Sequence, residues 1–166
     1  MNVGIIYGSN QGNTQAVSEK VAEKLEAGLF NISDLDLKEV EKLDFIIFAS
    51  STWGIGDLCD DWEMGLDKLD SLNLENKTIS FIGLGDQMVY GSTFCDALRI
   101  IYDKIGAAKL NHVGLWPSDN YEYDDSQSII NGKFMGLIID EDNEPEHTDV
   151  RINQWVEQLR CEVSLN

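Results

Sequence analysis

The sequence predicts an α/β fold: a doubly wound parallel sheet of five strands, helices on both faces, and a last strand interrupted by an inserted loop. Three observations lead there. The run Phe45-Ile46-Ile47-Phe48-Ala49 is apolar throughout, as a strand buried on both faces must be. Short runs of this kind alternate with segments of helical periodicity along the chain. Near the end, the polar and aromatic stretch Pro117–Gly136 breaks the alternation.

In chain order, Val3–Tyr7 is the first strand. Asn13–Ala27 is a helix with Val17, Val21 and Leu25 on one face, and Gly28 is its expected stop. Leu29–Ile32 reads as a short strand and Lys38–Leu43 as a polar helix. Trp62–Leu69 is a short helix, and Thr78–Gly83 is a second buried strand. Thr93–Ile105 is helical, with Leu98, Ile101, Tyr102 and Ile105 along one side and Gly106 after it. His112–Trp116 and Leu137–Ile139 are strand-like. Thr148–Val163 closes the chain as a helix with Ile152, Trp155, Val156, Leu159 and Val163 inward. The whole, 1–166, is expected to be one domain with its insertion at 117–136. Tyr121 and Tyr123 make that insertion either a docking surface or a packed excursion over the sheet edge.

The chain can build a substantial core, since 43% of its residues are hydrophobic. Its charge is lopsided: 30 acidic against 12 basic residues give a net −18. Such a surface repels nucleic acid and anionic membranes. It either keeps the protein soluble or draws a partner with a basic face. Cys59, Cys95 and Cys161 are odd in number and scattered, and His112 and His147 lie far from them in sequence. Neither a disulfide framework nor a metal site is expected. No secretory signal and no membrane-length apolar run is visible, so a reducing, cytoplasmic location is the expectation.

In an open parallel sheet, ligands bind at the carboxyl ends of the strands. The loops there are Gly8–Thr14, Ser50–Asp61, Gly83–Thr93 and Asp140–Asn143. The first, "GSNQGNT", lies between a strand and a helix, where backbone N–H groups and the helix dipole favour an anion. Gly8 and Gly12 are too close for a triphosphate loop, and Asn13 stands where its lysine would be. The hydroxyls of Ser9 and Thr14 and the amides of Asn10, Gln11 and Asn13 suit one terminal phosphate monoester, or else simply cap the helix. The second loop places Trp53 among small residues after a buried strand, and the third places Tyr90 at the same end of the sheet. Two such aromatics can grip a flat ring from both faces. Together with the phosphate cradle, they point to a planar heterocycle carrying a phosphate.

The residues "GSNQGNT", "TWGIGDL" followed by Trp62-Glu63, "GLGDQMVY" and "NGKFMGLIIDEDN" resemble those of the flavodoxins, over nearly the whole chain. The Pro117–Gly136 segment is similar to the insertion of the long-chain type. The resemblance implies non-covalently bound FMN and low-potential, one-electron transfer between a reductase and acceptor enzymes, in place of a ferredoxin. It also implies that Ser9, Asn10, Gln11, Gly12, Asn13 and Thr14 hold the phosphate. Trp53 and Tyr90 then cover the inner and outer ring faces, with Ser51, Gly54, Ile55 and Gly56 in the same ring loop. Backbone groups of Gly85, Asp86 and Cys95 face the pyrimidine edge, with Thr93 nearby. Thr52 contacts the phosphate or ribityl region, and Asp142 lies near the ribityl chain. The peptide Gly54–Ile55 is expected to rotate so that the Gly54 carbonyl meets flavin N5 in the half-reduced state.

Two positions depart from the family pattern. Gln11 stands where Ser or Thr is usual, and its amide still donates. Ser51 stands where many members have Pro, which leaves the Trp53 loop less constrained. Expected partners are redox proteins with basic docking faces: a donor of the ferredoxin/flavodoxin-NADP reductase type and ferredoxin-dependent acceptors, met by a monomer. Asp57, Asp60, Asp61, Glu63, Asp86 and Asp96 supply an acidic field. Cys59 has no His or Lys beside it in sequence to make a thiolate. Two other classes share the fold. An FMN-dependent reductase of a small substrate such as a quinone needs an open pocket over the ring, which a stacked Tyr90 blocks. A phospho-acceptor signalling domain needs acids at the first strand end, where Tyr7-Gly8 stands.

Overall fold

The computed structural model describes residues 1–164; the expected domain range runs to 166, and its last two residues lie outside the described ones. Four long strands form the sheet: β1 (Val3–Tyr7), β2 (Gly28–Asn31), β3 (Phe45–Ser51) and β4 (Thr78–Leu84). They pair in parallel in the order β2-β1-β3-β4. The central pair registers Phe48 on Phe81, and both rings are fully buried.

The fifth position is split. β5 (Asn111–His112) pairs with the start of β4, at Thr78 and Ile79. The later strand Leu137–Ile139 pairs with its end, at Ile82–Leu84. Between them lies a small antiparallel sheet of β6 (Trp116–Pro117), β7 (Ile129–Ile130) and β8 (Lys133–Phe134), so Leu137–Ile139 is β9. The expected strand His112–Trp116 is thereby corrected. Gly114 takes φ 76°, which turns the chain out of the main sheet and carries Trp116 into the small one.

The excursion is packed rather than loose. Tyr123 stacks on Phe94 with centroids 5.5 Å apart, and Tyr121 meets Phe134 edge-on at 5.3 Å. The Tyr121 hydroxyl donates to the Ile138 carbonyl at 2.6 Å and accepts from Trp116 Nε1 at 2.9 Å. The Arg151 guanidinium covers the Tyr121 ring at 4.3 Å.

The helices are α1 (Asn13–Leu25), α2 (Leu37–Glu41), α3 (Asp60–Gly65), α4 (Ala97–Lys104) and α5 (Thr148–Val163). α1 packs on α5, while α3 reaches α4 through the 3-10 turn Leu66–Ser71. Three boundaries differ from expectation. α1 stops at Glu26, whose left-handed φ of 52° lets its N–H cap the Ala22 carbonyl; Gly28 already belongs to β2. The Trp62–Leu69 helix starts two residues earlier and tightens to 3-10 after Gly65. The Thr93–Ile105 helix begins only at Ala97, because Cys95 at φ 57° breaks the path from the 3-10 turn Gly91–Thr93. Among the described residues, no helix is long and apolar enough to cross a membrane.

Candidate cofactor site

One cleft opens at the carboxyl ends of β1, β3 and β4. Ser9, Gln11, Asn13, Thr14, Ser51, Thr52, Trp53, Gly85, Asp86, Tyr90 and Asp142 line it, with Leu84 and Glu141. No Lys or Arg is among these lining residues.

Its first wall is the Gly8–Thr14 loop. Gly8 lets α3 come close: a Cβ there would sit 2.5 Å from Trp62 Cδ1. α3 in turn holds the loop. The Ser9 N–H donates to Asp61 Oδ2 at 3.0 Å, and Asn10 Oδ1 accepts the Asp60 N–H at 3.0 Å. Gly12 is the N-cap of α1, at a left-handed φ of 92°, and its N–H donates to Ser9 Oγ. So fixed, the N–H groups of Asn10, Gln11, Asn13 and Thr14 find no acceptor among the described residues. Thr14 Oγ1 is buried and likewise unpartnered. Unmet donors gathered at a helix N-terminus are chemically suited to an anion.

The second wall is Trp53. Its Nε1 donates to Ser51 Oγ at 2.8 Å, so Ser51 steers the indole. Trp53 and Asp57 exchange two backbone bonds, at 2.8 and 2.7 Å, closing a turn around Gly54-Ile55-Gly56. Gly54 and Gly56 take φ of 50° and 88°, and Ile55 projects at the tip, 85% exposed. Inside this clamp, the Gly54 carbonyl and the Ile55 N–H have no partner among the described residues. Thr52 Oγ1 accepts the Ala97 N–H at 3.1 Å, tying the loop to α4.

The third wall is Gly85–Tyr90. The Asp86 carboxylate accepts the Met88 and Val89 N–H groups, and the Asp86 carbonyl accepts the Tyr90 N–H at 2.9 Å. Burial raises the Asp86 carboxyl, but the Val89 N–H, the Asn143 amide and the Met88 N–H outweigh it, and the group sits below its ordinary value. Asp142 goes the other way. Burial, then the charges of Asp86, Asp140 and Glu141, push its carboxyl up. With Asp86, Glu141 and Asp142 along it and no Lys or Arg, the lining of the cleft is acidic.

Seven expected residues stand outside the lining. Asn10, Gly12, Gly54, Ile55 and Gly56 shape the two loops just described. Thr93 lies in the 3-10 turn behind Tyr90, to which its N–H is bonded. Cys95 is fully buried; its carbonyl accepts Ser128 Oγ at 2.6 Å, and its N–H has no acceptor among the described residues. Burial raises the thiols of Cys59 and Cys95, so both remain protonated. Asp96, counted in the acidic field, is buried against Gly56 and accepts the Gln127 N–H. Sequence reasoning missed Leu84 and Glu141. Leu84 is the residue after Gly83 on β4, and Glu141 sits between two acids already noted, so loop position was the available signal.

The match to known proteins follows the same lines. A family model described as Flavodoxin matches residues 5–155. A flavodoxin of Synechococcus elongatus is 36% identical, with 98% of each chain covered. Flavodoxin 2 of Escherichia coli is 38% identical, covering 99% of this chain and 98% of its own. Fusobacterium nucleatum flavodoxin, solved bound to flavin mononucleotide, superposes with a TM-score of 0.88 at 30% identity, over 97% of this chain and 98% of that one. The chain belongs to the flavodoxin family.

Proposed function

We propose that the protein binds FMN non-covalently in this cleft and carries electrons one at a time between a reductase and acceptor enzymes. One observation carries the reading: unpartnered N–H groups and a buried orphan hydroxyl lie in the same cleft as two aromatic walls. The first set suits a phosphate and the second a flat ring. The similar Fusobacterium protein holds that mononucleotide. Curated relatives named flavodoxin favour a carrier over a reductase of small substrates.

FMN, when bound, supplies the one-electron chemistry. The chain would hold its phosphate through the hydroxyls of Ser9 and Thr14 and the N–H groups of Asn10, Gln11, Asn13 and Thr14, and its ring between Trp53 and Tyr90. No cation lines the cleft to offset the phosphate. Asp86, Glu141 and Asp142 add carboxylates of their own to the lining. Such surroundings disfavour further negative charge, so a second electron would enter at low potential. Titrating the apoprotein with FMN tests the reading. Quenching of flavin fluorescence at micromolar protein, followed by two separated one-electron steps on reduction, is expected; failure to bind FMN at those concentrations sinks it.

The unbonded Gly54–Ile55 peptide offers a carbonyl that can turn toward a proton donor at the ring. Rotating it changes ψ of Gly54 and φ of Ile55, which glycine accommodates at positive φ and other residues resist by about 1 kcal/mol. A Cβ at Gly54 would also meet Asp57 Oδ2 at 2.9 Å. Gly54→Ala is expected to lower the potential for the first electron by about 40 mV, that same energy for one electron. An unchanged potential in a redox titration would retire the rotating peptide.

The acidic rim and the exposed Ile55, Met88 and Val89 beside it suit a partner with an apolar centre and a basic border. Charge of this kind mainly speeds encounter. Stopped-flow transfer from such a donor is expected to slow about tenfold between ~0.05 M and ~0.5 M salt. A flat profile would mean that apolar contact alone directs docking.

A further inference from the structure

Asp140 is fully buried at the end of β9, beside the cleft but not lining it. Donors converge on it from two loops. Gln87 gives its N–H at 3.1 Å and its Nε2 at 2.8 Å to Oδ2. The N–H groups of Asp142 and Asn143 reach Oδ1 at 3.2 and 3.0 Å. Asn143 Nδ2 reaches both oxygens, at 3.1 and 2.9 Å. Every one of these neighbours donates, which is the pattern a carboxylate accepts and an amide cannot. The far end of Gln87 is fixed as well, since its Oε1 accepts the Glu122 N–H from the insertion.

The same contacts lead to the ring. Asn143 Nδ2 also donates to Asp86 Oδ1 at 2.8 Å. That carboxylate caps the turn at Met88 and Val89, and the Asp86 carbonyl holds the Tyr90 N–H. Tyr90 itself is 44% exposed and makes no side-chain hydrogen bond among the described residues. Its place is therefore set by the turn that carries it.

We propose that Asp140 is a positioning residue for the cofactor: through Gln87, Asn143 and Asp86 it fixes the Tyr90 wall and joins it to the insertion, without touching the ligand. The inference rests on the FMN reading above. It predicts a site in which one buried carboxylate governs the outer wall while the phosphate loop, held by α3, is independent of it.

The test compares Asp140→Asn with Asn143→Ala, each alone and in a Tyr90→Ala background. Flavin release from the holoprotein on serial dilution gives the dissociation constant, and riboflavin is measured beside FMN. Each variant is expected to weaken FMN and riboflavin equally, by about tenfold, because the damage lies at the ring and not at the phosphate. In the Tyr90→Ala background, the same substitutions should change affinity by no more than about twofold, since the wall they position is gone. An undiminished loss in that background, wild-type affinity in both single variants, or a loss confined to FMN would overturn the proposal. Asn143 is exposed, so its variant carries the comparison if Asp140→Asn does not fold. A wild-type protein that holds no flavin at all overturns the functional reading instead.

Discussion

Replacing Gly136 with alanine is expected to lower the melting temperature by about 6–12 °C, equivalent to roughly 3 kcal/mol. Gly136 is buried where the chain re-enters the main sheet after the insertion. An added Cβ would lie 1.9 Å from the Phe81 carbonyl oxygen and 2.5 Å from its carbon. These are backbone atoms of β4, the strand paired with β3 on one side and with β5 and β9 on the other. A flexible side chain could swing away from such a contact; a central strand cannot. The relief has to come from lifting β9 off β4, and β9 delivers Asp140–Asn143 to the cleft. Flavin affinity should fall with the melt. Gly132 is the control, in the same insertion, with φ 78° and, among the described residues, nothing within 4 Å of an added Cβ. Gly132→Ala should cost only about 1 kcal/mol, from backbone strain alone. Near-UV circular dichroism melts of the two variants decide the matter. A Gly136→Ala melt within 2–3 °C of wild type would mean that the close approach carries no such cost.

The sheet was legible because its centre is nearly all apolar. Phe45–Ala49 and the strand it pairs with, around Phe81, cannot face water on either side, and that requirement shows in any window of sequence. The helix before Ala97 was not legible. Thr93–Ile105 keeps helical spacing, and what breaks it is a left-handed backbone at Cys95, held by Ser128 Oγ from the insertion. A bond across more than thirty positions leaves no local mark. The split of the last strand is similar, since β5 and β9 are each too short to carry a period. At the site, the phosphate loop and both aromatics could be picked out because they sit at strand ends, where ligands gather. The residues that hold those groups in place were harder. Asp61 was visible as an acid, but its bond to the Ser9 N–H depends on how α3 docks. Asp140 was visible only as a member of the final loop, and five converging donors are a three-dimensional fact.

Thr14→Val is expected to weaken FMN binding by about 10- to 100-fold while leaving the apoprotein as stable as before, or up to about 1 kcal/mol more stable. Most buried substitutions trade in one direction only, so the opposite signs are the test. Thr14 Oγ1 is buried without a partner, a state that costs a hydroxyl roughly 1–3 kcal/mol. Valine keeps the branched shape and removes the hydroxyl, and with it the cost. In the holoprotein, the hydroxyl faces the cleft that the neighbouring N–H groups define, and a hydrogen bond to a charged phosphate is worth about 1.5–3 kcal/mol. Ser18 separates this from a general effect of buried hydroxyls. It lies one turn further along α1, is equally buried and, among the described residues, equally unpartnered, yet does not line the cleft. Ser18→Ala should therefore leave FMN affinity within about twofold of wild type. Denaturant titrations of the two apoproteins, paired with flavin binding, read both halves. If Thr14→Val destabilises the apoprotein by more than about 1 kcal/mol and binds FMN normally, the hydroxyl serves the fold and the phosphate is held by backbone N–H groups alone.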